Sequence, residues 1–212
     1  MRHATQRAHG VPQPHAQART LSRDHRHRAI GCVEEAKVTD DIKIRCLHTI
    51  GEREIEGLGD VLIDCVEGGA SVSFMLPMTR AKADAFWRSI ATSVARGERV
   101  VLAAEDAAGA IVGTAQIVLH QPENQPHRGD LAKMLVHRRA RRRGVGEALL
   151  VAAERRALSA GKTLLVLDTA SADAERLYAR AGWQRCGQVP KYALLPDGVP
   201  CATTIYFKFL RD

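Results

Sequence analysis

Anion chemistry is written most plainly in Arg141-x-x-Gly144-x-Gly146, inside the stretch Leu131–Leu150, LAKMLVHRRARRRGVGEALL. An apolar run through Met134, Leu135 and Val136 leads into a cluster of arginines: Arg138, Arg139, Arg141, Arg142 and Arg143. The chain then passes Gly144-Val145-Gly146 and enters a helical pattern, with Val145, Ala148, Leu149 and Ala152 on one face. The first N–H groups of a helix lack intrahelical partners, and the macrodipole places partial positive charge beside them. Glycine lets that backbone approach a phosphate with no Cβ in between. The order of residue types therefore predicts a pyrophosphate site at the start of a helix over 144–160, with Gly161 as its stop. A Walker loop is excluded, because no Gly-Lys-Ser/Thr end is present. The dinucleotide fingerprint is excluded too, because its third glycine would fall on Leu149. A basic loop that carries two glycines before a surface helix is the plainer reading of the same residues.

The elements that would position this loop follow from periodicity. Ile42–Leu47 alternates as a strand. Ile55, Leu58, Leu62 and Cys65/Val66 fall at helical spacing over 52–66, and Gly68-Gly69 ends that helix. Thr79 caps a second helix over 79–96 that shows Ala83, Phe86, Ile90 and Val94 on one face. Strands are expected over 99–104 and 110–119 around a turn at 106–109, and again over 131–136. After the central helix come a buried-type strand at 163–168, a short helix at 171–181, and strands at 184–192 and 203–209. The order is β-αα-βββ-α-β-α-β-β, an α/β chain whose mixed sheet carries helices on its faces.

Charge and composition narrow the functions. The chain has 212 residues, enough for one large domain, with 45% hydrophobic and 26% charged residues. Its net charge is +7, but six arginines against Asp24 within residues 1–30 account for +5, which leaves +2 for the remainder. That near-balance does not support nucleic-acid binding by the domain. Residues 1–40 also hold five of the nine histidines, with no metal-ligand register, and are expected to be a disordered basic extension ahead of a domain over 41–212. No apolar run approaches the ~20 residues that span a membrane. The cysteines, Cys32, Cys46, Cys65, Cys186 and Cys201, form no CxxC pair, so neither a zinc site nor a disulfide framework is expected, and the cytoplasm is the expected compartment.

The arginine-glycine loop directly after an apolar strand resembles the acetyl-CoA loop of the GCN5-related N-acetyltransferases, the GNAT family. The element order over roughly residues 42–210 resembles the same fold. Downstream, the family's N-x-x-A-x-x-x-Y followed by a Gly-aromatic pair reads Ser171-x-x-Ala174-x-x-Leu177-Tyr178 and Gly182-Trp183, with serine in place of asparagine. Upstream, V-x-P-x-x-R reads Val136-x-Arg138-x-x-Arg141, with arginine in place of proline. Within the family, Val66–Met75 and Leu195–Gly198 with Thr203–Lys208 look like the tabtoxin-resistance acetyltransferase group.

The resemblance implies transfer of an acetyl group from acetyl-CoA to the primary amine of a small molecule. An amino-acid-like toxin or antibiotic is the acceptor the closer likeness implies. No metal, nucleic acid or membrane partner is expected. A catalytically weak CoA sensor and a protein N-acetyltransferase remain open alternatives, and so does a homodimer as the assembly. By the family's pattern, the backbone of Met134, Leu135 and Val136 would pair with the pantetheine arm. The N–H groups of Arg141, Arg142, Arg143, Gly144, Val145, Gly146 and Glu147 would bind the pyrophosphate, with guanidinium groups of Arg138, Arg139 and Arg142 in reach. Ser171 would stand at the family's pantetheine-binding asparagine. Tyr178 would protonate the leaving thiolate, and Asp168, after the 163–168 strand, would take the amine's proton. Asp168 reads equally well as a helix N-cap, and Glu105, Asp130, His120, His127 and His137 are weaker candidates for the base. Gly68–Ser73 would line the acceptor pocket or simply end a helix.

Overall fold

The computed structural model describes residues 42–211 and, for the backbone alone, 36–39. Eight strands form one sheet in the order β1-β2-β3-β4-β5-β6-β8-β7. In chain order the elements are β1 (Ala36–Thr39), β2 (Ile42–Leu47), α1 (Glu52–Glu67), α2 (Arg80–Ala95), β3 (Arg99–Asp106), β4 (Ile111–Val118) and β5 (Arg128–Val136). A 3-10 turn (Arg138–Ala140) then leads to α3 (Val145–Ser159), β6 (Leu164–Thr169), α4 (Ala172–Arg180), β7 (Gln184–Leu194) and β8 (Pro200–Phe209). The expected α/β class, mixed sheet and element order are therefore present, with β1 added at the front. The expected disordered extension lies largely outside the described residues, but its stretch 36–39 is a strand paired antiparallel to β2.

Two apolar layers sandwich the sheet. Leu149, Leu150, Ala153 and Ala157 of α3 pack with Leu102, Ile117, Leu165 and Leu167 on one face. On the other, Leu58, Val61 and Leu62 of α1 and Trp87 of α2 pack with Val101, Ala103 and Leu135. The buried face of α2 is Ala83, Trp87 and Ile90, whereas Phe86 is only half-buried. The seam therefore runs through i+4 rather than the expected i+3, and the larger indole takes the core position and turns Phe86 toward the cleft described below. Leu149 is fully buried, so Leu149→Ala is expected to cost about 2–5 kcal/mol of stability. A urea titration would read this as a lower midpoint at unchanged slope.

The feature that shapes the site is the way β5 parts from β6. Every other strand pair is antiparallel, but β5 and β6 run parallel and pair only at Arg128–Leu164, Gly129–Leu165 and Asp130–Val166. Beyond Asp130, β5 continues against β4, while β6 continues against β8 to Thr169. From Leu131 onward one edge of β5 therefore has no neighbouring strand, deep in the middle of the sheet. An unpaired edge is a template for another extended chain. A bulge lies at the same place. Leu135 faces Thr114 and Ala132 faces Gln116, so Lys133 and Met134 together oppose Ala115. Lys133 takes φ +48°, a region that costs a non-glycine residue about 1–2 kcal/mol.

Candidate active site

The N–H of His137 donates to Val112 O at 2.9 Å, which fixes which peptides of β5 face β4. By strand alternation Leu135 faces β4 as well, and Met134 and Val136 point into the gap. Val136 O is already used there, accepting from Arg141 Nε at 3.2 Å and from Cys65 Sγ at 3.6 Å. Met134 therefore presents the free peptide of the expected trio, Leu135 is a buried core residue, and Val136 is held by the loop. Burial pushes the Cys65 thiol up, so it remains protonated and can donate that bond.

The expected anion loop lies at the mouth of this gap. Arg142 (φ +59°) and Gly144 (φ +78°) are both left-handed, and Gly144 is the N-cap of α3. The first helical bond is Ala148 N to Gly144 O, so the N–H groups of Val145, Gly146 and Glu147 point out of the helix end without intrahelical partners. A Cβ on Gly144 would meet nothing within 4 Å, whereas one on Gly146 would lie 3.3 Å from Leu177 Cδ2 of α4. Gly144 thus serves the turn and the open concavity, and Gly146 serves the close approach of α3 to α4. The backbone fits a pyrophosphate.

The arginines divide into two groups. Arg138 donates from its backbone N–H and from Nε to Asp64 of α1, each at 2.8 Å. Burial pushes the Asp64 carboxyl up, but the two Arg138 bonds and the nearby His137 outweigh it and hold it below the usual carboxylate range. A proline at this position would lack the N–H, so the departure at Arg138 ties the loop's exit to α1. Arg139 pairs with Asp106 at 3.6 Å, and Arg141 turns back to Val136 O. Arg142 is exposed and makes no hydrogen bond or ion pair with a described residue, which leaves it available to a phosphate. Arg143 is exposed and has partners of its own.

On the far side of the gap, β6 ends at Asp168-Thr169, and Asp168 Oδ2 accepts from Thr203 Oγ1 of β8 at 3.0 Å. The helix N-cap is Ser171, which accepts from Ala174 N at 3.4 Å, so Asp168 is not the cap. Ser171's hydroxyl, assigned to pantetheine by resemblance, thus has a local structural use. Tyr178 of α4 is buried at 4% exposure, between the rings of Trp183 (5.7 Å) and Tyr206 (5.9 Å). Trp183 is tied back to α3 through Glu154 at 2.8 Å. Burial, and then the Asp168 charge, push the Tyr178 phenol well above its ordinary range. Its hydroxyl makes no hydrogen bond to a described residue. The structure therefore brings Tyr178 and Asp168 within electrostatic reach of each other on the same side of the gap.

Of the weaker candidates for the base, Glu105, Asp130 and His137 have side-chain partners, whereas among the described residues His127 and His120 are fixed through their backbones alone. Glu105 accepts from Arg45 at 2.7 Å, and Asp130 takes Gln121 and Arg128. His137 Nδ1 accepts from Arg139 N at 3.2 Å. His127 gives its backbone carbonyl to Thr163 and Leu164, and the backbone N–H of His120 goes to Glu98.

Residues that the periodicity assigned elsewhere complete the cleft on the α1–α2 face. Lys133 Nζ donates to Ser73 Oγ at 3.1 Å and lies 6.0 and 5.9 Å from the ring centres of Phe74 and Phe86. Burial, reinforced by Arg99 and opposed by Asp168, lowers the Lys133 ammonium. Over this cleft, Ser71 Oγ donates to Leu194 O (3.0 Å) and Leu76 N to Pro196 O (3.0 Å). The 68–79 segment is thereby fastened to the tip of the β7–β8 hairpin. Gly68–Ser73 does more than end α1. A separate cavity of about 480 Å³ lies beside α1 and the β3–β4 turn, lined by Arg45, Glu54, Asp60, Asp64, Arg80 and His137 among others. Its charges are matched internally, as in Arg45–Glu54 and Arg80–Asp60, and neither Tyr178 nor Asp168 lines it, so size alone does not make it the reaction site. Among the described residues no group of three His, Cys, Asp or Glu could hold a metal ion. No helix among them is long and apolar enough to cross a membrane.

Comparison with known proteins agrees with this geometry. Residues 72–183 match the acetyltransferase (GNAT) family model, a span that runs from the segment after α1 through the splayed strand and the loop to Trp183. The chain belongs to the GNAT acetyltransferase family. Among solved structures it resembles an N-acetyltransferase from Staphylococcus aureus Mu50, with TM-score 0.66, 18% identity, and 80% of this chain and 99% of that one covered. It also resembles a ribosomal-protein-alanine N-acetyltransferase from Brucella melitensis, with TM-score 0.65, 22% identity and coverages of 79% and 99%. The protein yncA of Salmonella typhimurium, solved with its cofactor acetyl-CoA, superposes with TM-score 0.65 at 17% identity and coverages of 81% and 95%. At these identities the likeness is one of fold.

Proposed function

We propose that this protein transfers the acetyl group of acetyl-CoA to the primary amine of a small molecule, by direct attack of the amine within a ternary complex. The observation that carries this reading is the open edge of β5 from Leu131 to Val136, in line with the free N–H groups at the start of α3. An extended amide-bearing arm ending in a pyrophosphate has matching partners at both ends of that line. Met134's peptide would pair with the arm. Val145, Gly146 and Glu147 N–H, with Arg142, would hold the phosphates. Acetyl-CoA supplies an activated acyl thioester. Asp168 takes the ammonium proton so that a neutral amine attacks, and Tyr178 gives its proton to the departing sulfur.

The bonds from Ser71 and Leu76 to the β7–β8 tip roof the acceptor side, which favours a small acceptor over a protein chain end. The reading extends to amino-acid-like toxins or antibiotics as acceptors, with resistance as the physiological role. The test is acetyl-CoA-dependent acetylation of a panel of primary amines, followed by thiol release. Asp168→Asn is expected to lower kcat about 10²-fold or more at neutral pH, with part of the loss recovered at high pH, where the amine deprotonates unaided. Absence of transfer to any amine, with acetyl-CoA bound, would overturn the reading in favour of a CoA sensor.

A further inference from the structure

Arg99, Gln116 and Lys133 form a row across β3, β4 and β5. Val101 faces Gln116, which puts Arg99 on the adjoining same-face position, and Gln116 faces Ala132, next to Lys133. Arg99 Nη1 donates to Gln116 Oε1 at 2.8 Å. That bond consumes the amide's acceptor and leaves its donors. Gln116 is fully buried, yet its Nε2 has no partner, and the buried Arg99 Nε has none either. Beside them Lys133 bonds only to the neutral Ser73 hydroxyl.

Neither cation forms an ion pair with a described residue; Arg99 feels Glu98 only at a distance, and Arg99 itself acts electrostatically on Lys133. Two like charges on neighbouring strands that act on one another, with no paired counter-ion, are unfavourable unless an anion joins them. The carboxylate that Lys133 does feel is Asp168, on the other wall of the cleft. The cleft is therefore positive on one side and negative on the other.

We propose that Lys133 and Arg99, the latter held in place by Gln116, are the carboxylate subsite of the acceptor pocket, so that the acceptor is a zwitterionic α-amino acid or a close analogue with its ammonium group toward Asp168. This rests on the acetyl-transfer reading and deepens it. A polyamine would meet the cation pair with the wrong sign, and an amino-acid amide could accept a hydrogen bond there but would bring no counter-charge. Phe74 and Phe86, packed edge to face at 5.2 Å, give the acceptor's carbon skeleton an apolar wall.

The test uses the full chain with CoA bound. Binding of N-acetyl-L-amino acids is compared with that of their carboxamides by calorimetry, a readout independent of turnover. Transfer to the parent amino acids, their amides and their decarboxylated amines is measured in parallel. The wild type is expected to favour the acids by about 10- to 100-fold, as for a charge-assisted hydrogen-bonded anion. Lys133→Met and Arg99→Gln should each bring that ratio toward one with acetyl-CoA affinity unchanged, and Lys133→Arg should keep most of it. Arg99→Gln serves alone if Lys133→Met fails to fold at the bulge. Equal binding of acids and amides by the wild type, or undiminished preference in Arg99→Gln, overturns the subsite. Transfer to amides at the rate of the acids would sink the subsite alone, whereas failure to transfer to any amine would sink the acetyl-transfer reading.

Discussion

Tyr178→Phe is expected to lower kcat about 10²- to 10⁴-fold while leaving the affinity for acetyl-CoA within about 2-fold of wild type, because general-acid assistance is worth that much when the leaving group needs a proton. The substitution removes one oxygen and nothing else. The ring keeps its contacts with Trp183 and Tyr206, and the hydroxyl gives up no hydrogen bond to a described residue. Stability should therefore change little, which separates a chemical role from a packing role. The pH dependence adds a second check. A proton donor works only while protonated, and burial with the Asp168 charge raises the Tyr178 pKa above its ordinary value near 10. Activity should rise with pH as the amine is deprotonated and show no Tyr178-dependent fall below about pH 10. A Tyr178→Phe enzyme with wild-type kcat would remove the phenol from the mechanism. An alkaline decline near neutrality that this variant abolishes would contradict the raised pKa.

The parts of this site legible in the sequence are those that local chemistry dictates. Glycines at Gly144 and Gly146 after an apolar run fix a turn and a helix start, and the helix begins at Val145. Strand alternation marks the boundaries of β2 at Ile42 and Leu47. What stays hidden depends on neighbours far along the chain. Nothing within LAKMLV announces that β5 leaves β6 after Asp130, because that parting depends on partners elsewhere in the chain, β5 staying with β4 while β6 stays with β8 along its whole length. The bulge at Lys133 and Met134 shows only as a register shift against β4, and it lifts the one charged residue of an apolar run into the cleft. That lone lysine is the available signal. Gln116 looks like an ordinary polar residue of an apolar strand, and only burial with an orphaned amide marks it. The arginine cluster reads as a single basic patch, but Asp64, Asp106 and the Val136 carbonyl take Arg138, Arg139 and Arg141 and leave Arg142 exposed toward the loop mouth.

Combining Gly144→Asp with Gly146→Asp should weaken acetyl-CoA binding by about 100-fold or more, roughly 2.7 kcal/mol, and calorimetry would measure it directly. Three effects act together. Two carboxylates are placed where the pyrophosphate's own charge must sit, and like charges at a helix end repel what the free N–H groups attract. The Gly144 backbone at φ +78° is strained for any side chain. The new Cβ at position 146 would meet Leu177 at 3.3 Å and press α3 away from α4. Folding is not expected to account for the loss. At position 144, the N-cap of α3, a negative charge stabilises the helix dipole and offsets part of that strain. The melting temperature should therefore move by only a few degrees while binding collapses. Gly144→Ala separates the causes, since its methyl enters open space and adds strain without charge. A loss near 10-fold or less in Gly144→Ala, against about 100-fold or more in the double aspartate variant, identifies charge at the helix start as the dominant effect. Wild-type affinity in the double variant would mean that the phosphates lie elsewhere, and the paired-strand geometry of β5 would then have to bind its ligand without an anion loop.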